Sequence, residues 1–204
     1  MHERQVAGLP DPAFGPPPRE RADAARNRSR ILTVAAELFA EHGVDGVSLD
    51  VIAARAQVGK GTLYRRFGSK AGLAAALLDE QDKELQRRIL FGPPPLGPGT
   101  DAATRITAFF DAYLALLDAN LELVRLSETA APGVRYQVGS YRVWQRHLAV
   151  LLAAARPGAD AEVTAHLLLA TLDADLHHAL RRSDFGLDLI RSALRGLIQK
   201  VLEG

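Results

Sequence analysis

The sequence predicts an all-α fold, in which an N-terminal helix-turn-helix domain of three helices precedes a C-terminal helical bundle, with about nine helices in all. Apolar residues recur at spacings of three and four through most of the chain. No segment shows the alternating pattern of a strand. The segment 91–99, FGPPPLGPG, cannot be helical, because proline lacks an amide donor and clashes with the preceding turn. It therefore separates the helices on its two sides.

Composition bounds the class of protein. The chain has 204 residues, 48% of them hydrophobic, which is enough to bury a substantial core. It has no cysteine, which excludes disulfides, thiolate zinc sites and thiol catalysis. No stretch approaches the ~20 apolar residues that cross a bilayer, and the N-terminus lacks the order of a signal peptide. We therefore expect a cytoplasmic protein without a membrane partner.

Residues 1–20 are rich in proline and poor in large apolar groups. Such a composition nucleates neither a helix nor a core, and it predicts a disordered tail. An inert extension or a misassigned start codon would leave the same pattern.

The first helix is predicted from about Arg21 to Gly43. Its apolar residues form one stripe: Ile31, Leu32, Ala35, Leu38 and Phe39. Gly43 ends the helix, because glycine readily adopts the left-handed conformation of a C-cap.

Three shorter-range signals predict the next helices. Ser48 caps a second helix, and residues 57–59 form a turn before a third helix at about 60–67. Ser69 caps a fourth helix that extends to about residue 89. The expected core positions of this region are Val51, Ile52, Ala56, Val58, Leu63 and Phe67.

Five further helices are predicted at about 102–119, 121–129, 138–156, 159–182 and 185–203. The final helix carries an apolar stripe at spacings of three and four: Leu187, Ile190, Leu194, Leu197 and Val201. The helix before it carries a similar stripe: Val163, Leu167, Ala170 and Ala174. Such stripes suit a helical bundle formed within one chain or between two chains. The sequence leaves that choice open.

The segment from Arg55 to Lys70 carries five cations and no acid: Arg55, Lys60, Arg65, Arg66 and Lys70. This charge distribution is typical of a surface that meets a polyanion. Two short helices joined by a tight turn can place the second of them in the major groove of duplex DNA. A solvated helix face is the alternative interpretation of the same charges.

The segment 48–73, SLDVIAARAQVGKGTLYRRFGSKAGL, closely resembles the TetR family of transcriptional regulators. The resemblance rests on residues that agree in order and spacing: Ser48, Ile52-Ala53, Ala56-Gln57-Val58, Gly61-Thr62-Leu63-Tyr64, Phe67 and Lys70. It covers about residues 26–78. Two positions depart from the family pattern. Gln57 stands where glycine is usual and is expected to need a left-handed backbone, and Gly59 stands where a capping serine is common.

The motif positions predict DNA contacts by eight residues: Ser48, Lys60, Gly61, Thr62, Tyr64, Arg65, Arg66 and Lys70. Lys60 and Arg65 are expected to enter the groove, where Lys or Arg reads guanine. Ser48 and Lys70, at the starts of two helices, are expected to meet phosphate. Gly61 would let the recognition helix approach the DNA closely.

The resemblance implies that residues 21–68 form the DNA-binding domain and that 69–204 form a ligand-binding and dimerisation domain. It further implies a double-stranded operator as partner, an unidentified small-molecule effector, and a homodimer that pairs through the last two helices. The stripe Leu187, Ile190, Leu194, Leu197 and Val201 is the expected interface.

The candidate ligand residues are aromatic and polar side chains of the C-terminal half: Phe110, Tyr113, Leu117, Arg125, Tyr141, Trp144, His147 and His166. Aromatic walls with a few polar tips make good apolar ligand sites, and they also make good cores. Both interpretations remain open for each residue.

No motif supports catalysis, and we expect neither an enzyme nor a cofactor. A metal set is conceivable among four neighbouring residues, Asp173, Asp175, His177 and His178, but a solvated or interface role fits them better, so we expect no metal site. The sequence thus favours a regulator, most simply a repressor released from a palindromic operator by a small, largely apolar effector. A ligand-independent dimeric regulator and a helical enzyme with an accessory DNA-binding head are the alternatives.

Overall fold

In a computed structural model of the chain, the structure describes residues 18–128, 131–137, 139–158 and 160–203. The predicted tail lies outside these residues up to position 17, and the first helix already begins at Pro18. Throughout the described part the regular structure is helical, which confirms the predicted all-α class. The helices are α1 (Pro18–His42), α2 (Leu49–Arg55), α3 (Lys60–Phe67), α4 (Lys70–Phe91), α5 (Ala102–Ala119), α6 (Leu121–Glu128), α7 (Gly139–Ala155), α8 (Ala161–Ala170), α9 (Ala174–Arg182) and α10 (Leu187–Glu203), with a short 3₁₀ helix at Val134–Gln137.

Helices α1, α2 and α3 enclose a first hydrophobic core. The predicted stripe of α1 supplies Ile31, Ala35 and Phe39, and α1 ends at Gly43, whose φ of +73° is the left-handed conformation expected of a C-cap. The expectation that Val51 is buried is wrong, because its side chain is 49% exposed. Leu49, Ile52 and Ala53 form the inward face of the short helix α2, and Val51 projects from its other side.

Helix α4 connects this core to a second one. Ser69 caps the helix by accepting a hydrogen bond from the Gly72 N–H (3.1 Å), and Leu73 packs in the first core. Leu78 and residues beyond it pack in the second core, which α5 to α10 complete. Leu123 of α6 contacts both cores. A displacement of α4 or α6 would therefore change the packing of both cores.

The helix predicted at 159–182 is two helices in the structure. Helix α8 ends at Ala170, and Asp173 caps the start of α9 by accepting from the Leu176 N–H (3.0 Å). The His177 Nε2 atom is 2.8 Å from the Thr171 carbonyl oxygen, which satisfies one of the groups freed at the break. The apolar stripe continues from α8 into α9, so helical periodicity alone did not reveal the break between them. Asp173 is a recognisable capping signal for the start of α9.

Candidate nucleic-acid interface and effector cavity

The turn between α2 and α3 has the geometry expected of a helix-turn-helix motif. Gln57 adopts a φ of +52°, which confirms the left-handed backbone predicted at this position. Gly59 is the N-cap of α3, and its carbonyl accepts from the Thr62 N–H (2.9 Å) without help from a side chain. Leu63 is completely buried and fixes α3 against the first core. The opposite face of α3 is thereby presented to solvent.

That exposed face of α3 holds most of the predicted DNA contacts. Lys60, Gly61, Tyr64, Arg65 and Arg66 are exposed. A Cβ added at Gly61 would meet no atom within 4 Å, so this point of the surface is open. Thr62 is half-buried at the side of the helix. The face is therefore accessible and cationic, and Tyr64 projects from it as an exposed aromatic side chain.

Asp50 of α2 modifies the charge of this face. Its Oδ2 atom lies 2.5 Å from the Lys60 Nζ atom, and both side chains are exposed. The pairing was not anticipated, because Asp50 lies ten positions away in the sequence, outside the acid-free segment. Arg65 and Arg66 form no ion pair with any described residue. The two arginines are consequently the cations of α3 most available to a polyanion.

The two predicted phosphate-binding residues lie beside α3 at helix starts. Ser48 caps α2, with its Oγ atom accepting from the Val51 N–H (3.3 Å). Lys70 is the first residue of α4, and its Nζ atom lies 3.5 Å from the Asp45 carbonyl oxygen. Both groups combine a polar side chain with the positive end of a helix, an arrangement that favours an anion.

The predicted ligand-binding residues do not converge on one space. Phe110 and Leu117 are fully buried in the second core, and Trp144 packs against Phe109 with ring centroids 5.8 Å apart. The Tyr141 hydroxyl lies 2.7 Å from His166 Nδ1. These contacts are those of a packed core and its edge.

Of the two further candidates, Arg125 lies apart from this aromatic group, whereas His147 borders it, with its ring 5.8 Å from that of Phe109. Arg125 Nε is 2.6 Å from Asp175 Oδ1 in an exposed ion pair between α6 and α9. His147 lies in a separate groove beside Arg105, and burial lowers the pKa of its imidazole to about 4.

A cavity of about 280 Å³ lies between α4, α5, α6 and the start of α7. Tyr113 is the one predicted ligand residue that lines it. The remaining lining residues are Ala75, Leu78, Asp79, Asp82, Gln86, Leu116, Val124, Ser127, Glu128, Arg135, Gly139 and Ser140. The carboxylates among them are spread over α4 and α6 and produce no recognisable sequence motif, so sequence reasoning missed this polar wall.

One side of the cavity is closed by a buried ion pair. Arg135 and Glu128 lie 2.5 Å apart with both side chains largely buried. Arg135 also donates to the carbonyl oxygens of Leu169 (3.0 Å) and Leu172 (3.2 Å), and Glu128 accepts from the Ala174 N–H (3.3 Å). Burial raises the pKa of Glu128, and the Arg135 charge opposes that rise. The pair joins α6 to the break between α8 and α9.

Asp82 lies on the other side of the cavity, on α4. Burial raises the pKa of its carboxyl to about 6, the neighbouring Asp79 charge adds to the rise, and a hydrogen bond with Ser140 opposes it. Among the described residues no cation forms an ion pair with Asp82. At neutral pH the ionised carboxylate therefore lowers the stability of the folded state.

We expect Asp82→Asn to raise the free energy of unfolding at neutral pH by about 1–3 kcal/mol. The folded pKa of about 6 exceeds the ordinary value of 3.8, so the contribution of Asp82 to stability falls as pH rises through that window. The advantage of the variant should accordingly disappear in acid. Denaturant unfolding of the wild type and the variant across this pH range measures the difference in their free energies of unfolding. The titration of His147 is common to both proteins and cancels in that difference. Equal stabilities at every pH would contradict the expectation.

The four residues considered as a metal set are each engaged otherwise. Asp173 caps α9, His177 bonds to the Thr171 carbonyl, and Asp175 pairs with Arg125, while His178 Nδ1 lies 3.0 Å from Glu122 Oε1. No group of three or more potential metal ligands occurs within the described ranges.

Some residues of the apolar stripe of α10 are buried in the second core, and others are exposed to solvent. Ile190 and Leu194 are each only 8% exposed and pack in the core of their own chain, with Leu187 and Val201 partly buried beside them. Leu197 is 44% exposed. We group it with the other large apolar side chains that are exposed on α8, α9, α10 and the α9–α10 connection, and call the group the α8–α10 face: Val163, Leu167, Leu176, Phe185, Leu189 and Leu197.

Comparison with known proteins gives a family match in the N-terminal part of the chain and a longer match to a relative. The family model described as bacterial regulatory proteins, tetR family, matches residues 31–77. An HTH-type transcriptional repressor of Mycobacterium tuberculosis is 32% identical over 157 residues, which cover 76% of this chain and 70% of the relative. An HTH-type transcriptional regulator of Staphylococcus aureus is 47% identical over 53 residues, covering 26% of this chain and 29% of the relative.

Solved structures show the likeness of the whole fold. A TetR-family transcriptional regulator from Syntrophomonas wolfei superposes with a TM-score of 0.66 at 18% identity, covering 89% of this chain and 97% of the other. A TetR-family regulator from Streptomyces coelicolor gives a TM-score of 0.61 at 21% identity, covering 88% of this chain and 95% of the other.

Among the described helices of the present chain, none has the length and apolar character needed to span a membrane.

Proposed function

Because this chain belongs to the TetR family of transcriptional regulators, we propose that it is a repressor that binds a palindromic operator as a homodimer and leaves it when a small molecule occupies the cavity beside α4. The exposed cationic face of α3 is the observation that carries the proposal. The name of the Mycobacterium tuberculosis relative supports repression as the sign of regulation.

The proposed DNA contacts divide by their position. Arg65 and Arg66 are unpaired with described carboxylates and can meet the duplex at once, whereas Lys60 must leave Asp50 or share it. Lys60 would leave Asp50 only where a base edge provides a suitable acceptor. Its binding should therefore depend on the base sequence, so Lys60 suits a role in base recognition. Lys70 and Ser48, at helix starts beside α3, suit phosphate contacts that fix the orientation of the protein.

We expect Lys70→Ala to weaken binding to all duplexes about equally and to reduce the slope of log affinity against log salt by ~0.9. Lys60→Ala should instead alter the preference among duplex sequences. Fluorescence anisotropy with an operator and an unrelated duplex, at several salt concentrations, measures both effects. Arg87→Ala near the end of α4 is the matched control, since it also removes a positive charge from an exposed side chain but lies neither on α3 nor on the α8–α10 face. Wild-type affinity and slope in both test variants would move the DNA interface elsewhere.

The α8–α10 face supports the proposed dimer. Leu176, Phe185, Leu189 and Leu197 line one apolar groove of α9, α10 and their connection, and Val163 and Leu167 are exposed on α8. Apolar faces of this kind mark association sites in soluble proteins. A second copy would cover the face about a two-fold axis and hold the two α3 helices at a fixed separation. Successive major grooves require ~34–36 Å between them.

Leu197→Asp is expected to weaken the dimer at least tenfold, because dimerisation would bury an unpaired charge. Sedimentation velocity across a protein concentration series measures the change. Leu90→Asp is a suitable control, since Leu90 is also exposed but lies on α4 away from the face. Leu194 is unsuitable as a test position, because it is buried within its own chain and its loss would perturb folding. A dimer of unchanged affinity in Leu197→Asp would exclude this face.

The cavity supports effector release because of where α4 runs. The same helix contributes Leu73 to the first core and Leu78, Asp79 and Asp82 to the cavity wall. A molecule bound against the middle of α4 can therefore shift its N-terminal end and the attached α3. Release of DNA requires only that the molecule bind the shifted arrangement more tightly than the operator-bound one. A ligand-independent regulator would instead show no saturable ligand effect on operator affinity.

A further inference from the structure

We propose that the cavity beside α4 takes an organic cation, a small amine or quaternary ammonium with an apolar body, whose charge is held by the Asp82 carboxylate. This inference rests on the proposed effector site and names the chemistry of its ligand. The apolar body would lie against Leu78, Leu116 and Val124, which line the same cavity.

The charges around the cavity leave Asp82 as the unmatched one. The lining contains three carboxylates, Asp79, Asp82 and Glu128, and one arginine, Arg135. Asp79 pairs with Lys83 (2.6 Å) and lies 3.8 Å from Arg28. Glu128 pairs with Arg135. Asp82 has no ion-pair partner among the described residues, so a cation entering the cavity meets an uncompensated, largely buried anion.

Tyr113 provides a second, independent indication of a ligand. Its side chain is only 7% exposed, it lines the cavity, and its hydroxyl forms no hydrogen bond with any described residue. A hydroxyl that lines a cavity without a protein partner is free to bond a molecule bound there, and such polar groups fix the orientation of a ligand in a mostly apolar site. The aromatic ring can also attract an organic cation through its face.

An anionic ligand fits the same cavity poorly. The guanidinium of Arg135 already donates to Glu128 and to the Leu169 and Leu172 carbonyl oxygens, and it lies 5.8 Å from the centre of the Tyr141 ring. An anion would have to displace these contacts and to approach Asp82 and Asp79 as well. The electrostatic field of the cavity therefore selects positive charge.

Proton uptake by Asp82 would compete with the proposed ligand. Four other charged or titratable groups line the cavity with this carboxyl: Asp79 on α4, Tyr113 on α5, Glu128 on α6 and Arg135 in the 3₁₀ helix. Of these, Asp79 adds to the rise in the pKa of Asp82. Burial raises the pKa of Asp82 to about 6, so protonation in mild acid removes the charge that attracts a cation. Binding of a permanently charged ligand should consequently weaken as pH falls through this value.

Three probes of similar shape and different charge test the proposal: phenethylammonium, phenethyl alcohol and hydrocinnamate. Isothermal titration calorimetry on the full chain without DNA should show saturable binding of phenethylammonium, at least tenfold tighter than the alcohol, and no binding of hydrocinnamate. Asp82→Asn should weaken phenethylammonium binding about tenfold or more, because the anionic partner is lost. Glu84→Gln removes the same charge from the outer surface of α4 and should leave the binding unchanged.

Several results would overturn the proposal. They are equal binding of the alcohol or the anion, no saturable binding of phenethylammonium at millimolar concentration, and unchanged binding in Asp82→Asn. The measurement needs no DNA, so its outcome is separate from that of the proposed regulatory function. Cation binding without any effect on operator affinity would retain this inference and remove effector release. Operator binding without cation binding would remove this inference and leave the proposed DNA-binding function in place.

Discussion

Replacing Trp144 by alanine is expected to lower the free energy of unfolding by about 3–5 kcal/mol, the loss typical of a large aromatic removed from a packed core. Trp144 is 2% exposed and its ring lies 5.8 Å from that of Phe109 and 6.1 Å from that of Tyr113. It does not line the cavity beside α4. Alanine would therefore leave a new void among well-packed neighbours.

Denaturant unfolding followed by circular dichroism measures this loss. Tyr113→Phe is the informative companion, because it removes only a hydroxyl that has no described hydrogen-bond partner and should change stability little. Tyr136→Ala, at an exposed aromatic on the 3₁₀ helix, gives the surface reference. A loss at Trp144 no larger than this reference would mean that the tryptophan faces an existing space, as an aromatic ligand pocket would require.

Arg135→Ala is expected to be as damaging, with a loss of about 3–5 kcal/mol, because it leaves Glu128 buried without its cation. The same change removes the bonds that Arg135 donates to Leu169 and Leu172 at the end of α8. The break between α8 and α9 should therefore become less ordered. Hydrogen exchange of the amides around residues 169–174 would report that local effect alongside the global loss.

A double variant separates the charge from the packing. Glu128→Gln combined with Arg135→Met removes both charges and keeps most of the volume, so it should recover a substantial part of the stability lost in Arg135→Ala. Arg125→Ala is the surface comparison, since Arg125 pairs with Asp175 in an exposed position. Its cost should stay near the 0–1 kcal/mol typical of surface pairs. If Arg125→Ala and Arg135→Ala lowered the free energy of unfolding equally, burial of the Arg135–Glu128 pair would have no effect on the cost of breaking it.

Local signals in the sequence sufficed for the first domain. The stripe of α1, its end at Gly43, the serine caps of α2 and α4, and the left-handed Gln57 are all present as predicted. Each depends on residues within about one helical turn, where backbone geometry and side-chain capping dominate.

The sequence by itself therefore determined the helical class, the helix-turn-helix motif and the cationic face of α3. Only the tertiary structure decided that Lys60 meets Asp50, that Ile190 and Leu194 pack inward while Leu197 faces outward, and that Asp82 shares a cavity with Tyr113. These relations join residues from different helices. Helical periodicity shows which residues share a face, whereas the packing of distant helices determines what that face contacts.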